Sequence, residues 1–449
     1  MVRTIVSVFL LVLVQAGISP CATGETKPAL SFSKAVGLVL EQSKQIQLAD
    51  EELEAARRAY KGAVRALYPR LWAQAMVSGD LFEYKDFFDD RNLGTSLVLE
   101  WNFFQNGQLR FRIHQARVTL EVAELRRDQR TTDIAYETRE LYYNILKGKG
   151  ALHISEKELE LERKRMELIR RQFEQGTAEE SQVREKQAAF FERQLIHTRK
   201  QQAYEMQFMR LSELTGLEEI IDVADVERRF DTELEPTPQP FIQAAYHNCT
   251  EVLIQTELTK LAEKGAKFSR LKRLPQVRVF TSSDYQLQDP SGIEDLAFRA
   301  GMAVSYPIYD AGSTRREIQA AESNFRQAKI QFSIAKAKAE FDVKEAYWNY
   351  MNNLKLYQIA DERKLLGEKD YQRSKRELQS GKLSQTEYEE AELYFLKSCQ
   401  TVKDIELDVM LAREKLLKVV GVNSMADIQT AAGQSMSASS ENRSKEVKN

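Results

Sequence analysis

The sequence around Gly107 recurs around Gly312, at a constant offset of 312 − 107 = 205 residues. The same offset, without a gap, pairs Arg110 with Arg315, Ile113 with Ile318, Tyr142 with Tyr347, Gly176 with Gly381 and Gly216 with Gly421. Upstream the match slips by one residue, since Pro69 matches Pro275. The chain is therefore a tandem duplication, and a repeat of this kind decides the architecture before any other feature. Two copies of one unit favour a pseudo-symmetric wall or shell over a compact enzyme with one cleft.

The first 22 residues have the pattern of a secretory signal. Arg3 precedes an apolar run, and small residues with Pro20 follow it, which predicts cleavage after Ala22 or Gly24. A lipobox-like alternative ends at Cys21, which would then be acylated. Beyond residue 22 no apolar run reaches the length of about 20 residues that a membrane-crossing helix needs. Any crossing must therefore use strands.

The composition argues against several classes of function. Charged residues make up 29% of the chain, yet the net charge is −2, so no basic field is available to bind nucleic acid. The four histidines are scattered, without a cysteine or carboxylate at ligand spacing, which predicts no metal site, no cofactor and no catalytic site. Cys249 and Cys399 could pair in an exported protein, but their spacing does not require it, and two small buried thiols are favoured.

Each copy begins with a helical pattern, over residues 31–66 and 240–273, that stops at a proline. Strict alternation follows at 96–103 and again at 298–306, each preceded by a weaker strand, at 70–79 and 276–285. The apolar face of the strong strands carries Leu97, Leu99, Trp101 and Phe103 in the first copy and Phe298, Ala300, Met302, Val304 and Tyr306 in the second.

These two hairpins have the strand length of about ten residues that spans a bilayer, and aromatic residues at their ends suit an interfacial girdle. Four strands cannot close a barrel, and an open edge is not tolerated in lipid, so several chains would have to share one barrel. The alternative is a soluble sandwich with one buried face. Nothing else in the chain is strand-like enough to provide its second sheet.

Long helical tracts follow Gly107 and Gly312 and run to Gly176 and Gly381. Each would be about 100 Å long at 1.5 Å per residue. A heptad repeat of Ile145, Leu152, Leu159, Met166 and Phe173 predicts a coiled-coil seam. The tracts return through 180–215 and 385–420, which gives one long antiparallel hairpin per copy. The predicted organisation is a signal (1–22), a first repeat (23–216), a linker (217–239), a second repeat (240–422) and a disordered tail (423–449).

The order of these elements, with Tyr306-Pro307-Ile308-Tyr309-Asp310-Ala311-Gly312 at the second strand-to-helix junction, resembles the TolC-like outer-membrane efflux protein family. The first-copy junction keeps the aromatic residues and Gly107 but lacks the proline. The resemblance implies a mainly α fold with a membrane β-barrel, in which a homotrimer shares twelve strands and its helix hairpins form an α-barrel. It also implies an exit duct in the outer membrane, extending into the periplasm, that works with an inner-membrane transporter and a periplasmic adaptor.

The resemblance also suggests site residues. Acidic residues after the second tip glycine would line a constricted entrance, and here these are Glu387 and Glu390, which threefold symmetry would turn into a ring of six carboxylates. Alternatively, both belong to a solvated acidic surface. The predicted adaptor contacts at the hairpin tips are Gly176, Thr177, Ala178, Gly381, Lys382, Leu383 and Ser384, and the predicted strand-to-helix junction residues are Gly107, Pro307 and Gly312.

Two competing functions remain open. One is an exported coiled-coil scaffold or adhesin stalk without a channel, which would be extracted without detergent. The other lies within the family, a duct devoted to metal-ion export, which the low histidine content does not favour. The sequence leaves the cargo open.

Overall fold

A computed structural model describes residues 30–78, 92–104, 107–217, 222–227, 237–288, 293–306 and 308–422. The predicted signal with Cys21, the junction residue Pro307 and the predicted tail at 423–449 lie outside the described residues. Within them, the first copy contains α1 (Phe32–Gln42), α2 (Lys44–Arg65), β1 (Arg70–Ser78), β2 (Asn92–Phe104), α3 (Gln108–Glu174) and α4 (Glu180–Thr215). The second contains α5 (Gln239–Asn248), α6 (Thr250–Leu271), β3 (Gln276–Gln288), β4 (Ile293–Ser305), α7 (Ser313–Gln379) and α8 (Gln385–Val420).

The leading segment of each copy is two helices, so the prediction of one continuous helix was wrong. Ser43 and Cys249 interrupt it with ψ angles of 117° and 120°, which are extended values. Their amide groups still donate to the carbonyls of Val39 and Ala245, both at 2.9 Å, so only one residue leaves the helix. The helical periodicity continues on both sides of such a short break, and the sequence pattern therefore did not reveal it.

The four strands form one antiparallel sheet in the order β1-β2-β3-β4, as the two predicted hairpins require. The central pairing, between β2 and β3, joins the two copies: Leu99 lies opposite Leu71 on one side and Thr281 on the other. The outer edges of β1 and β4 have no partner strand among the described residues. The sheet therefore has two edges free for pairing.

The long helices make up most of the molecule. α3 and α7 each contain 67 residues, which corresponds to about 100 Å, and α4 and α8 each contain 36. α3 packs against α4 and α7 against α8, which confirms the two antiparallel hairpins. α3 also packs against α8, so the hairpins lie side by side.

Because α3 packs against α8 as well as α4, the predicted heptad seam is not buried along its whole length. Ile145 is fully buried, whereas Leu152, Leu159 and Met166 are only half-buried and Phe173 is exposed. The residues buried further along α3 include Ile154 and Leu161, which also lie seven residues apart. A helix with neighbours on two sides buries two stripes rather than one.

The core lies at the level where the short helices meet the long ones. Tyr142 and its repeat equivalent Tyr347 are both completely buried, each in its own apolar cluster. The Tyr142 hydroxyl lies 2.8 Å from the carbonyl of Leu30 and 2.7 Å from that of Ala224, and burial raises its pKa to about 12. Part of the predicted linker is thus held against the first repeat. No described helix combines the length and apolar composition that a membrane-crossing helix needs.

Candidate functional site

The sheet has one apolar face, which the sequence alternation predicted. The strand register places Leu97 and Leu99 of β2 on the same side as Phe298 and Met302 of β4. These side chains are exposed, and Phe298 is 77% exposed. A sheet face with several exposed large apolar side chains is typical of a surface that contacts lipid or another protein.

The opposite face is polar and carries ion pairs between strands. Arg278 of β3 lies 3.6 Å from Glu100 of β2, and Arg299 of β4 lies 3.8 Å from Asp284 of β3. The Ser282 hydroxyl donates to Asp284 at 3.1 Å. A sheet that is apolar on one side and charged on the other is typical of a boundary between an apolar phase and water.

Phe280, also on the polar face, covers Gly301 of the neighbouring strand. A Cβ atom at Gly301 would lie 2.9 Å from the Phe280 ring, so only glycine allows the ring to lie flat there. Such covering of a strand glycine by an aromatic ring fixes strand register. No pattern in the sequence indicated this contact, because Phe280 and Gly301 are brought together only by the β3–β4 pairing.

The strand-to-helix junctions depend on two left-handed glycines. Gly107 and Gly312, with φ angles of 75° and 77°, directly precede α3 and α7. At the second junction Asp310 accepts backbone hydrogen bonds from Gly312 at 3.0 Å and Thr314 at 2.8 Å. The hydrogen bonds from Thr314 and, to a smaller extent, from Gly312 hold the pKa of the Asp310 carboxyl below its usual value. Both predicted glycines therefore start a long helix, and an aspartate caps the second start.

The hairpin tips have one backbone design, used twice. The amide of Gly176 donates to Phe173 and that of Thr177 to Gln172, both at 2.9 Å. The equivalent bonds run from Gly381 to Leu378 at 3.0 Å and from Lys382 to Glu377 at 2.9 Å. This pair of backbone hydrogen bonds defines the Schellman motif, which requires a residue in the left-handed conformation after the helix. Ala178 and Leu383 follow at equivalent positions and are half-buried.

The two predicted constriction residues have separate roles within the chain. Glu387 belongs to a helix cap, since the Ser384 hydroxyl and amide both donate to its carboxylate, at 2.7 Å and 2.9 Å. These bonds lower the pKa of Glu387. Glu390 instead forms an ion pair with Arg165 of the first hairpin. Both carboxylates therefore lie on α8, but Glu387 is bound by Ser384 and Glu390 by Arg165.

The Glu390 pair is one of a series that joins the two hairpins. We call this contact the α3–α8 joint. Its ion pairs are Asp133–Lys418, Arg139–Glu414, Lys147–Asp408, Glu158–Lys397, Lys164–Glu389 and Arg165–Glu390. This joint between the charges of α3 and α8 was missed in the sequence analysis. Their charge pattern alone does not identify a partner that lies more than two hundred residues away.

Among the described residues, no group of three or more histidine, cysteine, aspartate or glutamate side chains could hold a metal ion. The thiols of Cys249 and Cys399 are free and partly exposed. Burial raises the pKa of Cys399.

The chain matches the model of one protein family over both of its repeats. The model of the outer membrane efflux protein family matches residues 35–217 and 258–422, which is most of the chain and includes part of each repeat. The chain belongs to the outer membrane efflux protein family. This confirms the resemblance to TolC-like proteins inferred from the sequence.

Solved structures of several outer membrane proteins share the fold. The CmeC outer membrane channel of Campylobacter jejuni is 14% identical, with a TM-score of 0.72 and 89% of each chain covered. The open-state MtrE outer membrane channel of Neisseria gonorrhoeae is 16% identical, with a TM-score of 0.70, covering 87% of this chain and 89% of MtrE. The outer membrane protein VceC of Vibrio cholerae is 15% identical, with a TM-score of 0.67, covering 87% of this chain and 96% of VceC. No curated protein sequence is significantly similar to the chain.

These structures confirm the predicted fold class of a mainly helical, internally duplicated efflux protein with long antiparallel hairpins and four strands.

Proposed function

We propose that this efflux protein forms, together with identical copies, an exit duct through the outer membrane for efflux or secretion. The observation that carries the proposal is the sheet, which has an exposed apolar face, a charged face and two edge strands without partners among the described residues. A sheet in lipid must close to satisfy its backbone groups. Pairing of β4 in one copy with β1 in the next satisfies both edges and directs the apolar face outward.

The proposed assembly is a trimer of twelve strands, as the sequence resemblance implies. Below the strands, the α3–α4 and α7–α8 hairpins extend about 100 Å, which suits a helical wall that reaches across the periplasm. Exposed apolar side chains on the long helices support self-association, because a monomer in water would leave them hydrated.

The proposed partners are a periplasmic adaptor and an inner-membrane transporter. The hairpin tips, which turn through Gly176 and Gly381, are the proposed adaptor contacts. Their Schellman turns support this, since a rigid turn presents Leu383 and Lys382 in a fixed arrangement. Co-purification from native membranes, with Leu383→Asp as the tip variant, tests the contact: we expect the variant to lose the adaptor but keep its oligomeric state.

Reconstitution tests the duct itself. We expect the protein to sediment with outer membranes, to require detergent for extraction and to conduct ions after insertion into planar bilayers. Extraction in buffer alone, together with bilayers that stay silent, would favour the scaffold or stalk alternative. Mass spectrometry of the mature amino terminus distinguishes the predicted cleavage after Ala22 or Gly24 from the alternative in which Cys21 is acylated.

A further inference from the structure

The helix ends that adjoin the sheet are strongly basic. We call the last ten residues of α2 and α6 and the first ten residues of α3 and α7 the collar. In the first copy the collar contains seven lysine and arginine residues and no acidic residue, and in the second copy it contains five basic and three acidic residues. The four helix ends of equal length at the hairpin tips contain eight basic and ten acidic residues. Positive charge is therefore concentrated beside the sheet of a chain whose net charge is −2.

Helix stability accounts for only part of this charge. The positive end of the helix dipole lies at the amino terminus of a helix, where acidic side chains are favourable and basic ones are not. At the tips α4 and α8 follow this rule, with Glu180 and Glu387 in their first turns. α3 and α7 instead carry Arg110 and Arg315 in their first turns, and no acidic residue is present there. These arginines are equivalent in the two copies, so the helix dipole does not explain this position in either copy.

The bases of α2 and α3 lie on one side of the helical layer. At 3.6 residues per turn, four bases of α2 fall within an arc of about 100°, and they are Arg57, Arg58, Lys61 and Arg65. Next to them, the guanidinium of Arg117 on α3 donates to the hydroxyl of Tyr60 on α2 at 3.4 Å. Arg110 lies seven residues before Arg117 and therefore shares its face of α3.

The lysines of α6 continue this basic side. Burial, and after it the charges of Lys264 and Arg117, lower the pKa of His114 on α3, so both charges lie near this imidazole. Lys267 is three residues from Lys264 and shares its face of α6. The opposite side of the layer contains a cavity of about 620 Å³, which Arg112 and Gly265 help to line. The collar bases and the cavity therefore lie on different sides of the layer.

Many of the collar charges have no acidic partner. Five exposed bases form no ion pair among the described residues, and they are Lys61, Arg65, Arg110, Lys264 and Arg315. In the second copy Lys267 and Arg270 do pair, with Glu263 and Glu322. Like charges that cluster without partners repel each other and attract anions. The unpaired bases therefore form a surface that is complementary to a negatively charged partner.

We propose that the collar binds the anionic phospholipid headgroups of the periplasmic leaflet of the outer membrane. This inference rests on the proposed function, because it requires the apolar face of the sheet to lie in lipid. Arg110 and Arg315 each follow a junction glycine by three residues, which is about 4.5 Å of helix. The headgroup layer on each side of a bilayer is about 5–7 Å thick. Both arginines therefore lie at the level of the lipid phosphates.

The outer side of the duct suits these charges better than the lumen. On an inner surface, the bases of three copies would converge on the axis and repel one another. On the outer surface the same bases spread apart and each faces lipid phosphates. A lysine or arginine close to an anionic membrane surface strengthens binding about fivefold.

Spin-labelled lipids test the collar in the full-length protein. The protein is inserted into phosphatidylcholine vesicles, and the fraction of motionally restricted label is compared for phosphatidylglycerol and phosphatidylcholine probes. We expect an average preference for phosphatidylglycerol of about twofold or more at low salt, since some lipids at the oligomer contact no base. Lys61→Gln combined with Arg65→Gln and Arg110→Gln should bring the preference close to one.

The matched control removes three bases from the other face of α3. Arg112→Gln, Arg126→Gln and Arg130→Gln change the net charge equally, and these positions lie about 160–200° around α3 from Arg110. The preference should be unchanged in this variant. Equal loss of preference in both variants would show that net charge alone matters and would overturn the proposal.

The salt dependence of the wild-type protein gives a readout that needs no variant. Sodium chloride and sodium phosphate at equal ionic strength should weaken the preference equally, because both screen a membrane surface. A stronger effect of inorganic phosphate would indicate a discrete phosphate site instead of a membrane contact, which would contradict the proposal.

The outcomes separate this inference from the proposed function. A protein that inserts and conducts, but restricts both lipid probes equally, overturns the inference and leaves the duct standing. A protein that restricts neither probe and stays silent in bilayers overturns both.

Discussion

Two glycines with the same backbone angle differ in what surrounds them. Gly107 and Gly176 both have a φ angle of +75°. A Cβ atom at Gly107 would lie 2.8 Å from the ring of Phe268, whereas at Gly176 no atom lies within 4 Å. The Phe268 ring packs against Phe111, with centroids 5.4 Å apart, so it is not free to move away.

We therefore expect Gly107→Ala to destabilise the protein more than Gly176→Ala. The left-handed conformation costs an alanine about 1–2 kcal/mol at either position, and only at position 107 must a packed ring also move. Thermal unfolding of the two purified variants at one scan rate measures the difference. Equal loss of stability would show that the contact with Phe268 does not matter.

Ser384 caps the second return helix. Its hydroxyl accepts from the amide of Glu387 at 3.3 Å and donates to the Glu387 carboxylate. We expect Ser384→Ala to destabilise the start of α8 by about 1 kcal/mol, as is usual for loss of an N-cap. Amide hydrogen exchange in the first turn of α8 should become faster. Ser380→Ala, which removes a hydroxyl that donates to the carbonyl of Glu377 on the other side of the tip, should leave that exchange unchanged.

At the scale of the elements, the α3–α8 joint has a charged centre. Glu158 lies 2.5 Å from Lys397 of α8 and 3.5 Å from Arg193 of α4, and its side chain is only 11% exposed. Burial by itself would raise the pKa of Glu158, but the hydrogen bond and charge of Lys397, with the charge of Arg193, lower it below the ordinary value of 4.5. One carboxylate thus links three helices.

The direction of this pKa shift predicts a pH dependence. A carboxylate whose folded pKa is lowered stabilises the protein above pH 4.5, and the contribution is lost as the pH falls through the lowered pKa. We expect Glu158→Gln to lower the free energy of unfolding by about 1.5–3 kcal/mol near neutral pH, the range for a hydrogen bond to a charged group, and to be less sensitive to acid below pH 4.5. Unfolding followed across this pH range checks it, with the exposed Glu156→Gln as the control. Parallel acid profiles for wild type and Glu158→Gln would contradict the prediction.

The two faces of the sheet predict opposite responses to an added charge. Phe298 points to the apolar face, and the adjacent Ala297 points to the polar face, opposite Asp284. If lipid covers the apolar face, Phe298→Arg should cost about 2–4 kcal/mol at mid-membrane depth, and Ala297→Arg should be tolerated. The amount of each variant that reaches the outer membrane as a heat-sensitive oligomer measures this. Equal insertion of both variants would argue that the apolar face does not contact lipid.

The elements differ in how far the sequence predicted them. The alternation around Leu97 and Phe298 was sufficient to predict the strands and their two faces, because apolar and polar residues alternate along each strand. The break at Ser43 was not predicted, since a single extended residue does not disturb the periodicity around it. The pairing of Glu390 with Arg165 was also missed, because the contact depends on how two hairpins pack and not on local sequence.

At the scale of the whole molecule, the entrance is the place where the three copies of the proposed duct would meet. Glu387 and Glu390 remain the predicted lining of this entrance, although each has a partner within its own chain. A ring of carboxylates in a narrow pore attracts divalent cations, which then block the current.

We expect Glu387→Gln combined with Glu390→Gln to weaken block by divalent cations in single-channel recordings. Glu389→Gln, which removes a charge that pairs with Lys164, is the matched control and should leave block unchanged. Unchanged block in the double variant would favour the alternative in which the two carboxylates only stabilise the hairpins.

The α3–α8 joint also shows that the two repeats are no longer interchangeable. Glu158 of the first repeat binds Lys397 of the second, whereas the position equivalent to Glu158 in the second repeat is the base Arg363. A chain shortened to either repeat alone would leave one side of this contact without its partner, so each half of the duplicated chain has come to depend on the other.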